Sequence, residues 1–153
     1  LSDPDENVWF AAVQALERFG PAASASVPQL IPLLETRYGQ RVADTLARIG
    51  PEAVGPLTRK VNSGGIKARM HAIRALGEIG PPAATAVDAL IEALHEKKDA
   101  IDHSRYISQF AAEALGHIGD RQALPPLRQM AAAKNAAVRT AAVAAIRKIE
   151  QRE

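Results

Sequence analysis

The side chains best suited to chemistry are the four histidines and the acidic residues near them. His95, Asp99, Asp102 and His103 lie within one short stretch and offer the nitrogen and carboxylate donors that a metal ion takes. A closed zinc site needs about four ligands in defined geometry. The spacing here fits no zinc signature and no cysteine is present to complete one, so a solvated charged loop is the simpler reading. His103 and Ser104 are neighbours in sequence, but a serine nucleophile needs its base adjacent in space and a third group to orient it. His71 and His117 fall off the apolar stripe of predicted helices and read as surface imidazoles. Gly64-Gly65 lacks the frame of a phosphate-binding loop and follows no strand. The sequence therefore supplies no catalytic residue, no metal ligand set and no cofactor.

The elements that would position any site are written in a repeated phrase, clearest from Met70 to Gly80 (MHAIRALGEIG). It recurs as FAAVQALERFG ending at Gly20, QRVADTLARIG ending at Gly50, QFAAEALGHIG ending at Gly119 and RTAAVAAIRKIE ending at Glu150. Its leucine column runs Leu16, Leu46, Leu76, Leu115 and Ile146, at intervals of 30, 30, 39 and 31 residues. Self-similarity at this period marks stacked supersecondary units. Aromatic residues make up 4% of the chain, so the contacts between units must be built from small aliphatic side chains, which suits closely approaching helices.

Composition narrows the function classes. The absence of cysteine excludes disulfides, thiolate metal sites and cysteine nucleophiles, and fits a reducing, cytoplasmic compartment. No apolar run approaches the ~18 residues of a membrane span, and no secretory leader is visible in this segment. A net charge of +2, from 19 basic and 17 acidic side chains, is a weak signal for a polyanionic partner.

Each phrase is followed by a second apolar stripe, so the unit is a helix pair. Val8 to Phe19 has helical apolar spacing, with Asp5 or Asn7 as its cap. Gly20-Pro21 ends that helix, glycine taking the left-handed position and proline blocking continuation. The second stripes are Val27, Leu30, Ile31 and Leu34; Val54, Leu57, Thr58 and Val61; Val87, Leu90, Ile91 and Leu94; and Leu124, Leu127, Arg128 and Ala131. Ser26 is a candidate cap, and Pro32 should kink its helix. Gly39 predicts a late start for the next helix, and Asn62-Ser63-Gly64-Gly65 a turn within one continuous solenoid. The 39-residue interval places extra length in Pro81 to Ala86 and in an insertion from His95 to Tyr106. Insertions in repeat arrays map to loops, often on the binding face. A fourth pair runs from Phe110 to Met130, and Ala136 to Ile149 is a lone first-type helix with a charged, solvated end. The expected organisation is a single all-α solenoid over 1–153, with repeats at 4–35, 36–62, 66–95 and 105–131 and a half repeat at 135–150. The opening Leu1-Ser2-Asp3-Pro4-Asp5 reads as the tail of a preceding helix, which suggests a segment of a longer array.

At VRTAAVAAIRKI (Val138 to Ile149) and AAEALGHIG (Ala111 to Gly119) the chain resembles the short HEAT repeats, the kind also found in phycobilisome-lyase-like HEAT proteins. The arginine that follows the leading valine in that pattern stands at Arg139, and at Arg69 after an alanine. Trp9, Gly39 and Ser108 occupy the matching positions elsewhere, and the inter-repeat aspartate is clear only at Asp5. A continuous arginine–aspartate ladder is therefore not expected. The resemblance implies an α-solenoid whose second helices line the concave side. It points to a partner surface made of Gln29 and Leu33, Arg59 and Lys60, Glu92 and Glu96, and Gln129, joined by Lys97, Lys98, His103 and Arg105 of the insertion. Its mixed charge suits a protein or peptide partner, and the chain reads as a non-catalytic interaction scaffold. Two other classes follow from the same resemblance: duplex DNA binding of the alkylation-repair type, and phycobilin-lyase-like handling of a chromophore. Glu92, Glu96, Asp99 and Asp102 among the basic residues would blunt the counterion release on which DNA affinity depends. Trp9 lies beside the stripe and reads as packing rather than base stacking.

Overall fold

The computed structural model of the chain describes residues 6–95 and 104–152. All regular structure among them is helical. In order the helices are α1 (Glu6–Phe19), α2 (Val27–Leu30), α3 (Gly39–Ile49), α4 (Val54–Ser63), α5 (Ile66–Ile79), α6 (Val87–Leu94), α7 (Ser104–Ile118), α8 (Leu124–Met130) and α9 (Ala136–Glu150). Short 3₁₀ turns lead into or extend the even-numbered helices.

The odd-numbered helices pack in a row, α1 on α3, α3 on α5, α5 on α7 and α7 on α9. The even-numbered helices form the second layer, with α4, α6 and α8 each packed against the odd helix that follows it. Between the layers lies one continuous core. Its centre is the leucine column, with Leu46, Leu76 and Leu115 fully buried, faced by Leu30, Leu34, Leu57, Leu90 and Leu127 from the second layer. A buried leucine of this kind contributes roughly 1.5–3 kcal/mol from burial alone. This two-layer stack of helical hairpins is an α-solenoid.

The glycine that closes the phrase has a physical reason to be there. Gly20, Gly50, Gly80 and Gly119 all have positive φ, from +51° to +87°, where a β-carbon would be strained. Gly50, Gly80 and Gly119 return an N–H to the column leucine's carbonyl at 3.1, 3.2 and 3.0 Å. Proline or a polar residue then starts the next turn.

Several local expectations meet a different outcome. Pro32 does not bend a long helix; only one α-turn forms at Val27–Leu30, and the chain runs on as a 3₁₀ turn over Ile31–Glu35. Ser26 makes no side-chain cap. Arg128 is exposed and paired with Glu150 at 3.0 Å, and Met130, half-buried, packs against the core. The first helix of the fourth pair begins at Ser104 rather than Phe110, so Ser104 to Tyr106 of the expected insertion are helical. The late start at Gly39 is observed. A β-carbon there would lie 2.4 Å from the Leu34 carbonyl oxygen and 2.6 Å from the His71 ring, so the turn before α3 closes only over glycine. Asn135 caps α9, accepting from Ala137 and Val138 N–H at 2.9 and 3.2 Å. At the far end Arg152 is not simply solvated. Its guanidinium donates to the His117 and Ile118 carbonyls at 2.7 and 2.9 Å, satisfying two free acceptors at the end of α7.

Candidate functional site

The second layer carries the residues that the sequence points to. Arg59 and Lys60 lie together in a groove of about 410 Å³ between the first two hairpins, walled by Pro28, Ile31, Pro32 and Pro56. The groove exists because prolines at Pro28 and Pro32 shorten α2 and leave short apolar side chains at its rim. Arg59 is exposed and makes no ion pair among the described residues. Lys60 is already engaged: its ammonium sits 3.4 Å from Glu35, which also accepts from the Gly65 N–H at 3.0 Å. Glu92 is exposed on the next hairpin. Leu33 is half-buried and packs against the core.

The glutamines at either end of this layer are partly committed within the chain. With its amide turned so that the nitrogen faces acceptors, Gln29 donates to the Ser26 and Ala25 carbonyls at 3.2 and 3.1 Å. Gln129 meets the His95 ring at 3.2 Å, and the other nitrogen of that ring donates to the Ile91 carbonyl at 2.9 Å. His95 therefore ties the end of α6 to α8. Glu96, Lys97, Lys98, Asp99, Asp102 and His103 lie outside the described residues, as does the side chain of Arg105.

The first layer holds a second constellation. A chain of ion pairs crosses the α1–α3 and α3–α5 contacts. Arg41 stacks its guanidinium 4.6 Å above the Phe10 ring and approaches Glu17 at 3.5 Å. Arg74 donates to Asp44 and approaches Glu78 at 3.0 Å. The buried Nε atoms of both arginines face these carboxylates without hydrogen-bond alignment. The repeat-pattern arginines form no ladder with aspartates among the described residues: Arg69 and Arg139 donate to the Val61 and Ala133 carbonyls at 2.7 and 2.9 Å and fasten each first helix to the preceding hairpin. The spacing of Asp44 and Arg74, 30 residues apart, was the available signal.

Further along, the same surface changes character. Gly77 faces Ala114 of α7, and a β-carbon on it would lie 2.9 Å from the Ala114 Cα. Gly116 faces Ala145 of α9 in the same way at 2.7 Å. A shallow cavity of about 410 Å³ remains between α5 and α7, lined by Arg74, Glu78, Phe110, Glu113 and His117. Burial lowers the pKa of His71 below its ordinary 6.5, with Arg74 adding to the effect and Asp44 opposing it. His117 is lowered by the same cause, reinforced by Lys148. Both rings are thus held neutral near pH 7, and His71 is half-buried over Gly39 rather than a free surface group. Among the described residues no three His, Cys, Asp or Glu side chains gather as a metal site, and none of the helices is long and apolar enough to cross a membrane. Trp9 is buried and stacked on Tyr38, ring centroids 4.1 Å apart.

An α-solenoid of this repeat length points to a family. The chain belongs to the HEAT-repeat family, whose pattern it matches over residues 35–105 and again over 87–153. A comparison with curated proteins finds no match. Among solved structures it is similar to human deoxyhypusine hydroxylase in complex with glycerol, 26% identical over 82% of this chain and 43% of that one, with a TM-score of 0.67. It is also similar to the CpcE–CpcF complex of the phycocyanin lyase from a Nostoc species, 22% identical over 99% of this chain and 62% of that one, with a TM-score of 0.70. A designed armadillo repeat protein shares the fold at 19% identity, 97% and 78% coverage and a TM-score of 0.55. The chain thus spans less than two thirds of the first two, and the last two likenesses speak to fold alone.

Proposed function

We propose that the chain acts as a non-catalytic interaction scaffold and takes a protein or peptide on its second-layer surface. The observation that carries this reading is the groove at Arg59: an exposed guanidinium without an ion pair among the described residues, beside proline and isoleucine side chains, with Glu92 on the next hairpin. An apolar rim with one available cation and a nearby anion offers both desolvated contact and charge register to an extended partner. Gln29, Lys60, Glu96, Lys97, Lys98, His103, Arg105 and Gln129 belong to the same proposal, with Arg59 and Glu92 as its core.

The test is charge reversal read on both fold and binding. Arg59→Glu should weaken the affinity-captured partner's binding about tenfold or more and leave the circular dichroism spectrum unchanged, since a surface change is within about 0.5 kcal/mol of neutral for stability. An unchanged affinity contradicts the assignment. Binding of duplex DNA that falls steeply between 50 and 200 mM salt, as counterion release dictates, would replace it with the nucleic-acid reading.

A further inference from the structure

Opposite charges that share a repeat column behave differently in the two layers. In the first layer Asp44 and Arg74 stand two residues before their column leucines on adjacent helices, and they pair. In the second layer Arg59 and Glu92 also share a column, each five residues after the first residue of α4 or α6, and those helices pack on one another. Yet they form no ion pair among the described residues. A β-carbon on Gly55, one turn before Arg59, would lie 3.8 Å from the Arg59 Nη1. The guanidinium therefore rests along its own helix, over the space that glycine leaves, on the wall of the groove it shares with Pro28, Ile31 and Pro32. Exposed glycine inside a helix is unfavourable for that helix. On α6, Asp88 and Glu92 are both exposed and four residues apart, a like-charge spacing that weakens a helix. Asp88 is favoured in the first turn, but Glu92 lies in the last turn, where the helix dipole opposes a carboxylate. Gln122 donates to Asp88 at 2.5 Å and leaves its charge in place, and neither carboxylate meets a cation among the described residues. Gly55 and Glu92 thus work against the helices that carry them, and what they build is an exposed cation beside an exposed pair of anions.

Resting on the second-layer reading above, we propose that the partner is an extended segment in the polyproline II conformation, with an apolar residue, a carboxylate and a basic side chain at about every third position. The apolar residue lies against Ile31 and Pro32, the carboxylate meets Arg59, and the basic side chain meets Glu92 and Asp88. In either chain direction the carboxylate is the middle one of the three. The step follows from two repeats that match. Packed helices lie about 8–10 Å apart. A polyproline II chain has three residues per turn and a rise of about 3.1 Å, so side chains i, i+3 and i+6 share one face about 9 Å apart. A β-strand returns to one face every second residue, at roughly 7 and 14 Å, and misses that step. Strand addition also needs a sheet edge, and the described residues contain no strand. The charge on Arg59 sits in a fork that a carboxylate can meet with two parallel hydrogen bonds.

Selection of displayed random peptides of about 12 residues, which span ~40 Å when extended, tests the register. Enriched peptides should carry an acidic residue with an apolar residue three positions to one side and a basic residue three positions to the other. Arg59→Glu should weaken such a peptide about tenfold or more, and replacing the peptide's acidic residue by lysine should restore binding to that variant. Glu92→Lys should behave in the same way toward the peptide's basic residue. A variant that fails to fold cannot imitate this gain. Reversed pairs that stay unbound overturn the proposal. Enriched peptides that depend on Arg59 but lack the spacing also overturn it, while the second-layer reading stands. Peptides indifferent to both Arg59→Glu and Glu92→Lys, or no enrichment at all, overturn the two together. Duplex DNA bound at low salt and released by Arg59→Glu makes nucleic acid the occupant and refutes a peptide.

Discussion

Glu17 and Gly116 stand in the same column of the repeat, one residue after the column leucine, and both face the next first helix. Gly116 lets α9 approach until backbone meets backbone at Ala145. Glu17 instead holds α3 through a carboxylate set 3.5 Å from both the Arg41 Nε and the Thr45 hydroxyl, and Thr45 occupies the column of Ala145. One end of the stack is therefore joined by shape and the other by charge. Close packing in a low-void interior is unforgiving of added volume, whereas partly exposed ion pairs contribute little and are screened by salt. A single fold register can evidently be maintained by either chemistry, but the two should fail differently.

The largest expected contrast is in the leucine column. Leu115→Ala removes a fully buried side chain and should cost about 2–5 kcal/mol in urea denaturation, while Leu16→Ala, half-buried in the same column, should cost distinctly less. Next comes the facing position. Gly116→Ala should destabilise by about 1–3 kcal/mol through overpacking against the Ala145 backbone, and Glu17→Ala by less than about 1 kcal/mol, because Arg41 keeps its place over Phe10 and Thr45 still donates to the Arg41 carbonyl at 3.0 Å. Equal losses at the two positions would erase the distinction between the interfaces.

The histidines sharpen the comparison through pH. His71 and His117 have pKa values lowered chiefly by burial. The unfolded chain therefore binds protons more readily than the folded one. Their contribution to stability is present above the ordinary value of 6.5 and is lost as pH falls through the lowered folded-state values. Melting temperature should stay level above neutrality and drop as pH falls below it. His71→Gln should flatten part of that drop. The smallest effect is expected at Arg74→Ala, at or below about 1 kcal/mol, decreasing further in high salt.

Helix pairing, the turn glycines and the buried leucine column were legible in the sequence because each follows from local chemistry: period, left-handed φ and burial. The late start of α3 at Gly39 was legible for the same reason. The early start of α7 at Ser104 was not, since Tyr106 and Ile107 belong to a stripe that the charged insertion before them interrupts. Arg128 was misread because its stripe position on the short α8 points to solvent, where it pairs with Glu150 of α9. The charge ladder was missed because it depends on which of two adjacent helices a side chain leans toward, a tertiary fact that spacing alone does not contain. Of the surface residues, Arg59 and Glu92 remain available, while Gln29, Lys60 and Gln129 are partly spent on contacts within the chain. Single-residue exposure was readable from the stripe, but the bonds that exposed side chains make with one another were not.

The first-helix row should be loosest at α1, where the joint to α3 is ionic, and tightest at α7 and α9, where glycine meets alanine. Native-state amide hydrogen exchange measured helix by helix addresses this directly. The prediction is a gradient, with α1 exchanging fastest, α3 and α5 slower, and the α7–α9 pair close to the global unfolding limit. Protection in α1 equal to that in α7 would contradict it.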